Sequence, residues 1–328
     1  MHERPFGNTG VRVGEIGLGT WQLGGSDWGE VPEEQAFATM RAALESGVSF
    51  FDTADVYGLG RSETLIGRFL AAEHADVFVA TKLGRWPEPG WPGNFTRENL
   101  RLHTERSLER LGVDALDLTQ LHCVPTDELR RGEVFDHLRA LVAEGKIRRF
   151  GASVESIDEA LLCLEQPGLA SLQIIFNVLR QKPIDALFAK AREEGVALIV
   201  RLPLASGVLA GTLTRETAFA ASDHRSYNRD GQLFNVGETF AGLPFEKAVE
   251  LAEKLEDLLP RGLSLLEMSL RWCLDHEAVS VVIPGAKRPE QVRQNAAASA
   301  LEPLSDEVHA RLREFYEDHV REHIRGPY

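Results

Sequence analysis

Four residues of this 328-residue chain have the types needed to deliver a proton to a carbonyl oxygen: Asp52, Tyr57, Lys82 and His122. Asp52 lies in the apolar run VSFFDT at 48–53, Tyr57 follows five residues later in DTADVYG, Lys82 ends VFVATK at 77–82, and His122 ends ALDLTQLH at 115–122. A phenol with an ordinary pKa of about 10 is a poor proton donor at neutral pH until a nearby cation stabilises its phenolate. Lys82 could supply that cation, and a carboxylate at Asp52 would keep the lysine protonated in a partly desolvated pocket. His122 could orient the carbonyl or relay the proton while Tyr57 donates to the developing alkoxide. This chemistry needs no metal. Singly, each residue has a plainer role: a turn cap for Asp52, loop packing for Tyr57, a solvated strand end for Lys82 and His122. Their joint placement at the ends of neighbouring strands weakens those roles.

The elements that would hold these residues are short apolar runs alternating with amphipathic stretches, the pattern of a parallel sheet with crossover helices. Eight strands are predicted: 15–20, 48–53, 77–82, 115–122, 148–153, 172–177, 197–202 and 279–284. Helices are predicted between most of them. PEEQAFATMRAALESG opens with Pro32 and stops at Gly47, another helix starts at Ser62, and NLRLHTERSLERLG and IDALFAKAREEG also end on glycine. The fold class expected is α/β, a (β/α)8 TIM barrel forming one domain over 1–328, with the four residues at the C-terminal mouth. RPFGNTGVRV reads as an N-terminal β-hairpin plugging the floor, and 305–324 as an extra C-terminal helix capped by Ser305. Residues 205–244 read as a long loop that could cover a ligand.

Composition bounds the partners. With 36 basic and 50 acidic residues the formal charge is −14, which argues against nucleic acid and anionic membrane surfaces. Cys123, Cys163 and Cys273 are too few and too scattered for a disulfide framework or a metal cluster, so a reducing cytoplasm is the expected location. Neither a signal peptide nor an eighteen-residue apolar run is found.

The run of strand, DTADVYG, strand-end Lys and LH closely resembles the aldo-keto reductases across essentially the whole chain. The resemblance implies a catalytic tetrad of Asp52, Tyr57, Lys82 and His122, an NADP cofactor with NAD as the alternative, and a small carbonyl, alcohol or sugar as substrate. It places Gly19, Thr20 and Trp21 of GEIGLGTWQLGG near the nicotinamide, beside Asp52. With Gln22 where a third glycine would stand, GLGTWQ is not a dinucleotide fingerprint. Ser153 and Gln173 would orient the carboxamide, although Val154 stands where the family commonly has Asn. Arg201 replaces a stacking aromatic; its planar guanidinium could stack on the ring or form an ion pair at the barrel rim. Leu204, Gly207 and Leu209 resemble the pyrophosphate loop, and Gly285, Lys287, Arg288, Gln291, Gln294 and Asn295 the adenosine end. Lys287 and Arg288 at a helix start suit a 2′-phosphate, which favours NADP.

The substrate is the least legible part. Trp21, Trp86 and Trp91 are expected to overhang the mouth beside Tyr57 and His122, and Arg85 could recognise a carboxylate or phosphate. Two other roles stay open: an aldolase in which Lys82 forms a Schiff base, and a cofactor-binding regulatory subunit of the same fold. Oligomeric state is not legible.

Overall fold

The computed structural model describes residues 1–328, apart from the side chain of Ser26. Strands β1 (Glu3–Pro5) and β2 (Arg12–Gly14) pair antiparallel as the expected hairpin. The eight parallel strands follow as β3 (Leu18–Gly19), β4 (Phe50–Asp52), β5 (Phe78–Leu83), β6 (Leu118–His122), β7 (Phe150–Ser153), β8 (Leu169–Ile175), β9 (Ala197–Arg201) and β10 (Val279–Val282). Their spatial order is their chain order. Parallel bridges Ile16↔Val282 and Gly19↔Gly285 bring the first run back to the last and close the barrel.

Burial on both faces explains why these strands read as continuous apolar runs rather than alternating ones. Inward-facing Phe50, Ala80, Leu118, Ala197, Ile199 and Val281 form one cluster, and hairpin residues Phe6 and Val13 belong to it. The hairpin is therefore the barrel floor. A second, larger cluster fills the space between strands and helices. The crossover helices largely keep their expected limits: Glu33–Glu45 follows Pro32, Arg61–Glu73 follows Gly60, and Arg97–Leu111 is capped by Thr96 and stopped by Gly112. IDALFAKAREEG departs from expectation, because Leu187 (φ −127°, ψ −41°) splits it into Pro183–Ala186 and Phe188–Glu193. The last predicted helix is regular only over Asp306–Phe315, with Ser305 accepting from Val308 N–H at 3.3 Å, and then widens into a π turn at Tyr316–Val320.

Register decides what shares the mouth. His122 pairs with Ser153, and Ser153 with Gln173, so three polar side chains occupy adjacent positions on β6, β7 and β8. Gly19 pairs with Asp52 on the other side of the barrel. Among the described residues no helix is long and apolar enough to cross a membrane.

Phe6 is wholly buried at the floor, at the end opposite these strand termini. Phe6→Ala is expected to lower the unfolding free energy in a urea titration by about 3–5 kcal/mol without changing ligand affinity of the folded protein. A loss below about 1 kcal/mol would show that the hairpin is a peripheral appendage.

Candidate active site

Lys82 is the hub of the mouth. Its Nζ donates to Asp52 Oδ1 at 2.5 Å, to the Thr53 carbonyl at 2.9 Å and to Tyr57 Oη at 3.2 Å. Lysine and aspartate are 1% and 3% exposed. Burial works against the lysine's charge, but Asp52 and then Tyr57 outweigh it and hold its pKa above the ordinary value. An ammonium so held is a proton-side partner rather than a free amine, which argues against Schiff-base chemistry at Lys82. Asp52 is fixed from its other oxygen, where Gln173 Nε2 donates at 2.6 Å. Thr20 N–H and Oγ1 both donate to the Asp52 carbonyl, at 2.9 and 2.8 Å.

Tyr57 lies between two rings and this cation. Its ring stacks on Trp21 with centroids 5.9 Å apart and meets His122 edge-on at 5.8 Å. The sequence argument has Lys82 easing loss of the phenolic proton. Burial is the larger influence here and leaves the Tyr57 pKa raised, with Lys82 only pulling it back. The resting group is thus a protonated phenol, and the lysine matters when its charge develops. His122 is pushed well below its ordinary pKa by burial, then by Arg85, Lys82 and Arg201, so it is a neutral imidazole. Its Nδ1 is buried without a partner.

The loops that carry these groups need unusual backbone. Gly58 has φ +61°, and a β-carbon there would lie 1.6 Å from the Gly24 carbonyl oxygen. Only glycine lets the Tyr57 loop close against the Trp21 loop.

A cavity of about 330 Å³ runs from this mouth along the barrel rim. It is lined by Gly19, Thr20, Trp21, Asp52, Tyr57, His122, Ser153, Gln173 and Arg201, then Leu204 and Gly207, then Gly285, Lys287, Arg288, Gln291, Gln294 and Asn295. Lys82 lies beneath it rather than in its wall. Leu209 does not reach it: after left-handed Ser206 and Gly207 the chain turns and buries Leu209 completely in the core. Ser206 takes its place in the wall. Trp86 lines a second, adjoining cavity with Trp21, Tyr57 and His122.

The cavity suits a nicotinamide dinucleotide in shape and in donors. Gly207 (φ +100°) has only Arg225 and Leu213 side chains near where a β-carbon would point, leaving backbone free to approach a phosphate. The helix Pro289–Ala297 starts at the far end with Lys287 and Arg288 beside it. Lys287 Nζ donates to the Trp28 carbonyl at 3.0 Å, while Arg288 is exposed.

Arg201 takes the rim ion pair. Its Nη1 is 3.6 Å from Glu238 Oε1 and its Nη2 donates to the Val154 carbonyl at 3.0 Å, while Nε has no partner. The residue standing in for the family's Asn thus anchors the residue standing in for its aromatic. Gln22, from the GLGTWQLGG run, also lines the cavity, as do Glu238, Arg225 and Trp28, which carry no sequence signal because they sit in single helical turns outside any motif. Arg85, expected as an anion anchor, is already bound: its Nη2 donates to Glu155 Oε1 at 3.0 Å and to Glu238 Oε1 at 3.1 Å.

A closed (β/α)8 barrel with this mouth and this cleft defines an oxidoreductase that uses a nicotinamide cofactor. The chain belongs to the aldo/keto reductase family, whose model matches residues 15–317. It is similar to the aldo-keto reductase YhdN of Bacillus subtilis (strain 168), with 28% identity over 89% of this chain and 87% of that one. It is also similar to the NADH-specific methylglyoxal reductase of Escherichia coli (strain K12), with 29% identity over 97% of this chain and 99% of that one. Among solved structures, the glycerol dehydrogenase AKR11B4 from Gluconobacter oxydans superposes with a TM-score of 0.81 at 29% identity, covering 99% of this chain and 98% of that one.

Asp52→Asn would leave the buried Lys82 ammonium without its counterion and is expected to cost about 3–5 kcal/mol of stability. Lys82→Met in the same chain should restore part of that, giving a coupling energy above about 1 kcal/mol in a double-mutant cycle by urea unfolding. Because Lys82 titrates higher folded than unfolded, the pair's contribution is complete below the unfolded value of about 10.4 and is lost as pH rises through the folded value. Strict additivity of the two substitutions would refute the pair as a stabilising unit.

Proposed function

We propose that this chain reduces an aldehyde or ketone with NADPH, or oxidises the corresponding alcohol or sugar, with Tyr57 as proton donor. The observation that carries this reading is the Lys82 ammonium 3.2 Å from the Tyr57 hydroxyl and 2.5 Å from Asp52, beside a neutral His122. The cofactor, when bound, supplies a hydride to the carbonyl carbon. The chain supplies the rest. His122 donates a hydrogen bond to the substrate oxygen from its nitrogen that faces the cavity, fixing the carbonyl against Tyr57. Tyr57 Oη passes its proton to the oxygen as negative charge develops, and Lys82, held charged by Asp52, stabilises the phenolate that remains. Solvent then returns a proton to Tyr57. Trp21 covers the reacting end and limits access of water.

Ser153 and Gln173 would hold the carboxamide, although Gln173 also spends its Nε2 on Asp52. Arg201 would lie against the ring with its edge fixed by Val154 and Glu238. Ser206 and Gly207 would face the pyrophosphate. Lys287 and Arg288 would bind a 2′-phosphate, which supports NADP, whereas the similarity to an NADH-specific enzyme keeps NAD as the alternative. The catalytic unit is one domain spanning the chain, and three buried free cysteines fit a reducing cytoplasm.

Tyr57→Phe is expected to lower kcat for aldehyde reduction at least about 10²-fold while NADPH still quenches tryptophan fluorescence with nearly unchanged affinity. Full retained activity would remove Tyr57 as the donor. Lys287→Ala and Arg288→Ala should each weaken NADPH binding by about tenfold and NADH binding little, since only NADPH carries the extra phosphate. Equal losses for both cofactors would end the phosphate assignment.

A further inference from the structure

The cavity beside Tyr57 and His122 ends in a charged cluster that the proton-transfer step does not use. Its walls are largely apolar, with Val56, Trp86 and Trp91 from one pair of loops and Leu233 and Phe234 from the long loop. At its end, one nitrogen of Arg85 serves both Glu155 and Glu238. Arg201 approaches the same Glu238 oxygen. Two guanidiniums therefore meet two carboxylates, and the formal charge of the cluster is zero. Cys123 Sγ and the two carboxylates lie within 4.8 Å of one another, but the arginines already neutralise them.

We propose that Glu155 is a specificity-determining residue: by occupying Arg85 it turns the pocket away from carboxylate-bearing carbonyls and toward neutral, hydroxyl-bearing ones. The inference rests on the oxidoreductase reading of the same site. An unpaired arginine at the end of an apolar pocket is a strong anchor for a carboxylate, because its planar fork matches two oxygens at once. Arg85 is not unpaired. A substrate carboxylate would bring a third anion against two partly desolvated ones and would have to take Arg85 from Glu155, leaving that carboxylate without its cation. A hydroxyl meets no such cost, since it donates to Glu155 and leaves Arg85 in place.

Glu155, not Glu238, is the member that meets the substrate. Its side chain is 20% exposed against 7% for Glu238, which is tied to Arg201 as well. The charged and titratable groups around Glu155 come from five elements: Arg85 from the loop after β5, Cys123 just past β6, Arg180 from the segment after β8, Arg201 from the end of β9 and Glu238 from the long loop. Glu159 is engaged by the Glu155 backbone N–H at 2.9 Å. Burial, and then Glu238, lift the Glu155 carboxyl toward neutrality against the pull of Arg85 and Arg201, whereas the two arginines hold Glu238 low despite its burial. Protonation of Glu155 removes one of the two anions that hold Arg85 and leaves it only Glu238, which it shares with Arg201, so discrimination should weaken as pH falls.

The test compares two four-carbon aldehydes that differ only at the far end, 4-hydroxybutanal and succinic semialdehyde, with NADPH and the full chain. The wild type should favour the neutral aldehyde in kcat/KM by about tenfold or more, and Glu155→Gln should shift that ratio by about tenfold toward the anion, mainly through KM. NADPH quenching of tryptophan fluorescence checks that the variant is folded. In the wild type alone, the ratio should move toward the anion between about pH 8 and pH 6, the direction expected when a raised carboxyl takes up a proton. A preference for succinic semialdehyde, or a ratio that neither pH nor Glu155→Gln moves while both aldehydes turn over, overturns the role of Glu155. Failure to reduce either aldehyde while other aldehydes or ketones turn over with NADPH overturns this inference alone, and no turnover of any carbonyl with NADPH bound overturns the proposed reduction with it.

Discussion

A lysine with 1% of its surface exposed is tolerable only because three oxygens surround its ammonium. The rest of the mouth is arranged around that requirement. Asp52 must face inward at the end of β4, so Gln173 and Thr20 are committed to holding its carboxylate and its carbonyl. Lys82 must come from the adjacent strand, where the parallel register sets it two residues beyond the partner of Asp52. The same pair gives Tyr57 a fixed positive neighbour, so a structural necessity and a chemical one coincide in one ion pair. Removal of either partner would leave an uncompensated charge in a low-dielectric site, a larger effect than loss of an exposed ion pair.

The second organising contact is Glu238, which bridges Arg85 beside the substrate cavity and Arg201 beside the cofactor cleft. It arrives on the long loop after β9, and that loop is tied down by Ser206, whose hydroxyl donates to the Glu238 carbonyl at 3.2 Å and accepts from Phe240 N–H at 3.1 Å. Left-handed residues at Ala205 to Gly207 and at Phe240 to Gly242 allow the two ends of the loop to meet. The loop thus fixes, in one element, groups that face both ligands. It is ordered by these polar contacts together with scattered buried residues such as Leu209 and Phe240, without a periodic apolar stripe, which is why its composition alone reads as a generic cover.

Much of the fold was legible because both faces of a barrel strand are buried. Each strand needs a short apolar run and most crossovers an amphipathic stretch with a stop, and eight such strands in series leave few other arrangements. The departures have local causes: Leu187 interrupts one helix, and the π turn at Tyr316–Val320 ends the last one early. At the site, residues at strand ends were legible and residues in loops were not. Leu209 stood beside phosphate by resemblance to the family's loop, but the left-handed residues Ala205 to Gly207 before it turn its side chain into the core. Arg85 looked like a free anchor, but its partners are separated from it by 70 and 153 positions.

By itself the sequence determined the barrel, its plugged floor and the company of Asp52, Tyr57, Lys82 and His122, because strand period and strand ends are local properties and parallel order follows chain order. What only the tertiary structure decided is the state of those groups. Burial keeps Tyr57 a phenol and His122 neutral, while the proximity of Asp52 keeps Lys82 charged. It also decided that Arg85 and Arg201 spend their charge on Glu155 and Glu238. Desolvation and pairing depend on distances between residues far apart in the chain, and no local pattern encodes them.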